Sequence, residues 1–179
     1  MSVQVAVKAS QDAVLNIGVQ EEGVNSGKYV NTYQQACDPK LPDGSPWCMA
    51  FVVFRFKKAA HSLNKVIRSD WPRSGYCPHH YRWALNNGYF IHYVDASTNP
   101  TVIKPGYIAL FYSNVLGRIA HTGIVVAVHE WGVETVEGNT SAPPRNATEV
   151  DREGDGVYMK SRKWAQLGLY GGFVNTHEL

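Results

Sequence analysis

One apolar segment in the first half of the chain constrains the fold most strongly. Residues 49–54 contain no polar side chain, and the first charged position after them is Arg55. This pattern predicts a helix that is buried on nearly all sides. Ser45 can cap such a helix and Pro46 suits its first position, so Cys48 is expected in the first turn. Backbone N–H groups and the helix dipole favour a thiolate there, which makes Cys48 a candidate nucleophile.

The hydrophobic pattern changes character at Gly88. Before this glycine, apolar residues at helical spacing predict helices over residues 3–17, 28–37 and 80–87 and in the segment that begins near Cys48. After it, short β-rich runs divided by Gly and Pro predict strands at residues 89–94, 107–112, 122–128, 132–136, 156–159 and 172–174. The polar residues 141–154 are expected to form a surface loop. Helices followed by strands predict an α+β fold, with helices packed on one face of an antiparallel sheet.

Length and composition limit the possible classes of protein. At 179 residues the chain is expected to form one domain over residues 1–179. The apolar share of 44% and the charged share of 18% are typical of a globular protein, and we expect no membrane insertion. A net charge of +2 does not favour a nucleic-acid partner. Residues 1–8 lack the features of a secretory signal, so we expect synthesis in the cytoplasm and delivery to any external target by another system.

Three polar residues follow Cys48 in an order that indicates acyl-transfer chemistry. His121 opens the apolar run at residues 121–128 and is a candidate general base. Glu137 and Asn139 are two positions apart, so they would share one face of a strand. Either could accept the Nδ1 proton of His121; we favour Glu137, with Asn139 orienting or contacting the substrate. A cysteine, a histidine and an acid or amide are the parts of a thiol acyl-transfer site.

The three cysteines are an odd number, so at least one thiol is unpaired within the chain, and we assign it to Cys48. Cys37 and Cys77 either form a disulfide or are two inert buried thiols. Cys77, His79 and His80 superficially resemble zinc ligands. Without a second matching pair, they do not indicate a zinc site.

Several aromatic residues are open to two interpretations, because they could line a groove for glycan or peptide or could pack in the core. Of these residues, Trp47 lies next to the nucleophile and is the one expected to bind substrate. The full set is Trp47, Trp71, Tyr76 and Trp131.

These motifs resemble the CHAP family of cysteine amidases and endopeptidases, within the papain-like and NlpC/P60-like group that cleaves peptidoglycan. Residues 44–52, Gly-Ser-Pro-Trp-Cys-Met-Ala-Phe-Val, are similar to the nucleophile helix of that family. Residues 104–111 resemble its Pro-Gly-Asp strand, with Tyr107 in place of the usual Asp. Residues 121–125 resemble its histidine strand, and residues 136–139 resemble the strand that bears the polar partner.

The resemblance implies a papain-like fold and a peptidoglycan hydrolase. Cys48 would be the nucleophile, His121 the base, and Glu137 or Asn139 the third catalytic residue. The bond cut would be the N-acetylmuramoyl-L-alanine amide or a peptide bond of the stem. We expect no cofactor and no required metal, because Asp38 and Asp43 offer too few carboxylates for the calcium loop of some CHAP lysins.

The same resemblance suggests biological settings and leaves alternatives open. A monomer acting on bacterial peptidoglycan is expected, as a phage lysin, a tail-associated hydrolase or an antibacterial effector with an immunity protein as partner. One alternative is a Cys-His amidase or acyltransferase of the same fold that acts on a substrate outside the wall. Another is a catalytically silent module that binds the wall.

Overall fold

The fold places its helices first and a six-stranded antiparallel sheet after them. The computed structural model describes residues 2–142 and 154–177. The helices are α1 (Val3–Val14), α2 (Lys28–Gln35), α3 (Cys48–Ser62), α4 (Cys77–Asn86) and α5 (Tyr93–Thr98), with 3₁₀ turns at Pro100–Val102 and Trp164–Leu167. The strands are β1 (Phe90–His92), β2 (Ile108–Ser113), β3 (Arg118–His129), β4 (Gly132–Thr140), β5 (Gly156–Lys163) and β6 (Gly172–Val174), in the order β1-β6-β2-β3-β4-β5. The predicted α+β class, with N-terminal helices and a C-terminal antiparallel sheet, is confirmed.

Helix α3 is the centre of the larger core. Residues 49–53 have no exposed surface, and the helix packs against α1, α2, β3 and β4. The prediction of a helix that is buried on nearly all sides is therefore confirmed. Its start differs from the prediction, because Trp47 occupies the N-cap position and Cys48 is the first helical residue. Ser45 and Pro46 belong to the preceding loop rather than to the helix.

The sheet is covered on both faces, where the sequence predicted helices on one. Successive side chains of a strand point to opposite faces. Along β2, Ile108 and Leu110 join the core of α1 and α3, whereas Ala109 and Phe111 join a second core. That second core includes Ala96 of α5 and residues of the turn Trp164–Leu167. The single-face expectation is wrong because α5 was not predicted.

Several element boundaries differ from the predictions. Helix α5 occupies part of the predicted strand 89–94, and it begins where the His92 side chain accepts a hydrogen bond from Val94 N. Helix α4 begins at Cys77 rather than residue 80, with a proline in its first turn. Strand β3 begins at Arg118, so His121 lies inside the strand and does not open it. Within the loop predicted at 141–154, residues 143–153 lie outside the described residues.

Strands β4 and β5 are both longer than predicted, and this positions the site. Strand β4 continues to Thr140 and so includes Glu137 and Asn139. Strand β5 continues to Lys163, which brings Arg162 opposite Val133 in the antiparallel register. Within the described residues, no helix combines the length and apolar character needed to span a membrane.

Candidate active site

Cys48 lies at the N-terminus of α3, where the chain leaves a polar loop and enters the core. The residue is 5% exposed, so its thiol sits at the boundary between core and surface. The Met49 backbone interacts with the thiol, as expected for the first turn of a helix, where N–H groups have no partner within the helix. The position of Cys48 at the start of the helix thus brings the backbone of Met49 to the sulfur.

His121 contacts Glu137 across neighbouring strands of the sheet. His121 Nε2 lies 2.8 Å from Glu137 Oε2, and both side chains are almost fully buried. The predicted partnership of these residues is present, but the predicted nitrogen was wrong. The contact uses Nε2 rather than Nδ1, which leaves Nδ1 as the nitrogen available to the Cys48 thiol. His121 and Cys48 interact directly.

The Glu137 carboxylate is held from three sides. In addition to His121, Arg162 donates from Nε to Oε1 at 2.8 Å and from Nη2 to Oε2 at 2.5 Å. Thr135 Oγ1 donates to Oε1 at 2.6 Å. A buried carboxylate requires such partners, because leaving it unpaired in the interior costs several kcal/mol. The carboxylate therefore has little freedom to move away from His121.

The absence of a side chain at Gly123 leaves space for the Glu137 side chain. Gly123 faces Glu137 across β3 and β4, and a Cβ atom there would lie 2.6 Å from Glu137 Cγ. Any larger residue would push the Glu137 side chain aside. The sequence His121-Thr122-Gly123 therefore supplies both the imidazole and the space that its partner needs.

Sequence reasoning missed Arg162 and Thr135. The predicted strand 156–159 ended too early because β5 reverses the usual pattern: Lys160 and Arg162 are buried, whereas Met159 is exposed. Hydrophobic alternation cannot identify a strand whose inward positions are charged. A signal was nevertheless present in the sequence, since the charged residues Lys160 and Arg162 alternate with Met159 and Ser161 at the period of two that is typical of a strand.

The electrostatics of the site favour a thiolate and an imidazolium. Burial alone would raise the pKa of Glu137, but Arg162 and His121 lower it to about 2. Burial likewise opposes charge on His121, yet its interactions with Cys48 and Glu137 raise its pKa to about 9. Cys48 has a pKa well below its usual value, because the hydrogen bond with Cys77 and the interaction with His121 outweigh burial. Both shifts favour a negative sulfur and a positive imidazole over the neutral pair.

Cys77 is the second thiol of the site. Its Sγ lies 3.8 Å from Cys48 Sγ, and it is the first residue of α4, as Cys48 is of α3. Hydrogen bonding to Cys48 and burial both raise the pKa of Cys77, which favours Cys77 as the donor in this contact. All three cysteines are free and buried. The suggested disulfide between Cys37 and Cys77 is absent, and both are buried free thiols; Cys77 in addition contacts Cys48.

Asn139 lies in the same strand as Glu137, but the strand is irregular between the two residues. The pairing of β4 with β5 shifts between Glu137 and Thr140, and Asn139 has a left-handed φ of 56°. Such a φ is uncommon outside glycine and is tolerated by asparagine. Asn139 is fully buried. The expectation that two residues in regular strand geometry share a face does not apply across this irregularity, and the role of Asn139 stays a prediction.

The aromatic residues divide between core and cleft. Trp47 has no exposed surface: its Nε1 donates to Glu21 Oε1 at 2.7 Å and its ring packs against Tyr33. The expected contact between Trp47 and substrate is therefore corrected to a core role. Trp71 is also buried, whereas Trp131 is exposed and stacks on His129. The aromatic residue at the nucleophile is Tyr76.

A cleft of about 250 Å³ opens at the Cys48 thiol. The loop before α3 forms one wall with Leu41, Ser45 and Pro46, and the start of α4 forms the second. Strand β3 closes the cleft with Arg118 and Ala120. The wall is largely apolar, which suits the exclusion of water from an acyl-transfer site.

The residues that resembled zinc ligands make other contacts. His79 Nδ1 lies 2.9 Å from Ser74 Oγ, and His80 Nε2 lies 2.8 Å from Ser74 O. Burial lowers the pKa of His80 to about 4, so its ring is neutral. In the described ranges 2–142 and 154–177, no group of three or more His, Cys, Asp or Glu residues is arranged to hold a metal ion.

Comparison with known proteins gives a match at the level of family. The family model described as the CHAP domain matches residues 40–139, which is more than half of the chain. The matched range contains Cys48, His121, Glu137 and Asn139, and it ends before Arg162. No curated protein and no solved structure matches the chain. The resemblance drawn from the sequence motifs is thereby confirmed.

Replacing Arg162 with Gln should destabilise the fold. Removing one partner of a buried ion pair costs about 3–5 kcal/mol, because the remaining charge stays buried without compensation. Urea unfolding at neutral pH measures this difference. Since the pKa of Glu137 is lowered from 4.5 to about 2, its contribution is present above pH 4.5 and is lost as the pH falls through 2. The difference in unfolding free energy between wild type and Arg162→Gln should therefore become smaller as the pH is lowered from 4.5 to 2.

Arg162→Lys is the matched control, since it keeps the charge but loses the two-pronged contact. The free energy of unfolding of Arg162→Lys should lie between those of wild type and Arg162→Gln. Equal unfolding free energies for wild type and Arg162→Gln at neutral pH would contradict the assigned role of this arginine.

Replacing Cys77 with Ala should raise the pKa of Cys48, because it removes the hydrogen bond that lowers this pKa most. Cys77→Ser keeps a donor at the same place and should preserve more of the shift. Ultraviolet absorbance of the thiolate against pH is the measurement. The pKa of Cys37 is raised by burial to about 12 and that of Cys77 is also raised, so absorbance at neutral pH reports Cys48. Superimposable titrations of Cys77→Ala and wild type would show that the thiol contact has no effect.

Proposed function

Because the chain belongs to the CHAP domain family, we propose that it is a peptidoglycan hydrolase in which Cys48 attacks an amide carbonyl. CHAP domains are typically amidases and peptidases, so membership supports a hydrolase at the level of family. The observation that carries the finer proposal is the buried contact between His121 and Glu137, together with the interaction by which His121 lowers the pKa of the Cys48 thiol. These are the parts that a thiol acyl-transfer mechanism requires.

The proposed reaction begins with the Cys48 thiolate and the His121 imidazolium. The sulfur attacks the carbonyl carbon of the amide, and the backbone N–H of Cys48 is positioned to donate to the developing oxyanion. His121 gives its proton to the leaving amine, and the C–N bond breaks to leave a thioester on Cys48. His121 then accepts a proton from water, the hydroxide adds to the thioester, and the carboxylic acid leaves as the thiolate reforms.

Glu137 acts as the positioning residue in this proposal. Its carboxylate fixes the imidazole through Nε2, so Nδ1 faces the sulfur, and its charge stabilises the imidazolium. Arg162 and Thr135 hold that carboxylate in turn. A hydrogen-bonded support of this kind keeps catalytic groups within the narrow range of geometry that reaction needs.

The proposed substrate is bacterial peptidoglycan, cut either between N-acetylmuramic acid and L-alanine or within the stem peptide. The proposed setting is a phage lysin, a tail-associated hydrolase or a delivered antibacterial effector, in which another system brings the enzyme to the wall. An effector would have an immunity protein as a partner.

Purified sacculi test this proposal directly. Wild-type protein should release muropeptides, and their masses identify the bond that is cut. Cys48→Ala should release none, because it removes the nucleophile and little volume. Cys37→Ser is the control, since Cys37 is a buried thiol that contributes no group to the cleft. Release of muropeptides by Cys48→Ala would refute the mechanism, and an inactive wild type that cleaves other amides or thioesters would favour a substrate outside the wall.

Glu137 and Asn139 can be ranked by kinetics. Glu137→Gln removes the charge that stabilises the imidazolium, so it should lower the rate by about 10²-fold or more, as for other positioned acid–base partners. Asn139→Ala should have the smaller effect. Circular dichroism and urea unfolding check that both variants fold, and pH–rate profiles separate a changed pKa from lost binding. A larger effect of Asn139→Ala would make Asn139 the third catalytic residue.

A further inference from the structure

Among the described residues that line the cleft at Cys48, Arg118 carries the one cationic side chain. Arg118 is the first residue of β3, three positions before His121, and it is half-buried. Its guanidinium lies 5.1 Å from the centre of the Tyr76 ring, which faces the same cleft. Its charge also acts on Cys77, which contacts the nucleophile. The cation therefore belongs to the lining of the cleft that contains the reacting sulfur.

In the part of the chain that the structure describes, the other contacts of Arg118 involve no carboxylate. Nη1 donates to Ile119 O at 3.2 Å, a neutral backbone acceptor. Within residues 2–142 and 154–177, the ion pairs involve other cations, and no carboxylate lies at salt-bridge distance from Arg118. Arg162 differs in this respect, because its charge is matched by Glu137. A guanidinium fixed on an aromatic ring keeps its planar donor edge for a two-pronged contact with a carboxylate.

We propose that Arg118 forms a carboxylate-binding subsite that selects stem peptides with a free carboxylate next to the scissile amide. This inference rests on the proposed function. The stem peptide of peptidoglycan carries carboxylates, and in many walls these are converted to carboxamides. A carboxylate can form a charge-assisted contact with the guanidinium, whereas a carboxamide cannot compensate the charge. The remaining wall of the cleft is largely apolar, which strengthens such a contact.

The subsite acts by binding and takes no part in bond breaking. Its loss should therefore appear mainly in kcat/KM through KM, as for an interaction made equally in the ground and transition states. A hydrogen bond to a charged group changes binding by an amount that corresponds to about 10-fold to 100-fold in kcat/KM.

The experiment compares purified muropeptides with the same muropeptides after chemical conversion of their carboxylates to carboxamides. Wild type should cleave the amidated set about 10-fold to 100-fold less efficiently. Arg118→Gln should cleave the native set as slowly as wild type cleaves the amidated set, with no further loss on amidation. Arg118→Lys keeps a charge and should retain part of the preference. Lys65→Gln, which removes an exposed charge outside the cleft, should behave as wild type.

Three results would overturn the subsite, and they differ from failure of the proposed function. Equal cleavage of native and amidated muropeptides by wild type would show that no carboxylate is recognised. Retention of the full wild-type preference by Arg118→Gln would assign carboxylate recognition to another residue. Equal losses on both substrates in Arg118→Gln would show a structural role. If wild type cleaves no muropeptide of either kind, the proposed function fails and the subsite fails with it. If wild type prefers the native muropeptides and Arg118→Gln does not, synthetic stem peptides amidated at single positions identify the carboxylate that Arg118 binds.

Discussion

The buried carboxylate of Glu137 is the constraint on which the site depends. It has no exposed surface, so it requires the two-pronged contact with Arg162, the hydroxyl of Thr135 and the imidazole of His121. These partners come from β3, β4 and β5, which means that three adjacent strands must be in register before the carboxylate is satisfied. The same requirement holds the imidazole in one orientation and keeps it charged. The sheet thus acts as the rigid half of the site.

Helix α3 provides the other half of the site, which carries the nucleophile. Its apolar residues 49–53 are fully buried and hold the helix against β3 and β4, so Cys48 has little freedom at the point where the helix begins. The N-termini of α3 and α4 meet there, and the Cys77 thiol contacts the Cys48 sulfur. Backbone donors, a thiol and an imidazolium therefore surround the thiolate and compensate the cost of burying its charge. Arg118 and Tyr76 line the cleft at this sulfur.

The sequence was sufficient for those features that depend on local pattern. The apolar run after Cys48 predicted the central helix, the change at Gly88 predicted the α+β order, and residues 172–174 were correctly assigned to a strand. Features that depend on long-range contact were missed. Arg162 and Lys160 are charged yet buried, so hydrophobic alternation ended β5 too early. Helix α5 follows from a side-chain cap at His92, and the contact between Cys48 and Cys77 joins the starts of two helices that lie far apart along the chain. Trp47 is adjacent to the nucleophile in sequence, but its ring lies in the core, where it donates a hydrogen bond to Glu21 and packs against Tyr33.

The central claim is that Cys48 and His121 form an ion pair whose imidazole is held by Glu137. Titration of the His121 imidazole by NMR tests it most directly, in wild type and in Cys48→Ala. The account predicts a wild-type pKa raised from 6.5 to about 9, and a lower pKa in the variant, because a negative partner has been removed. A histidine that titrates near its ordinary pKa in wild type, and that does not respond to loss of the thiol, would contradict the account.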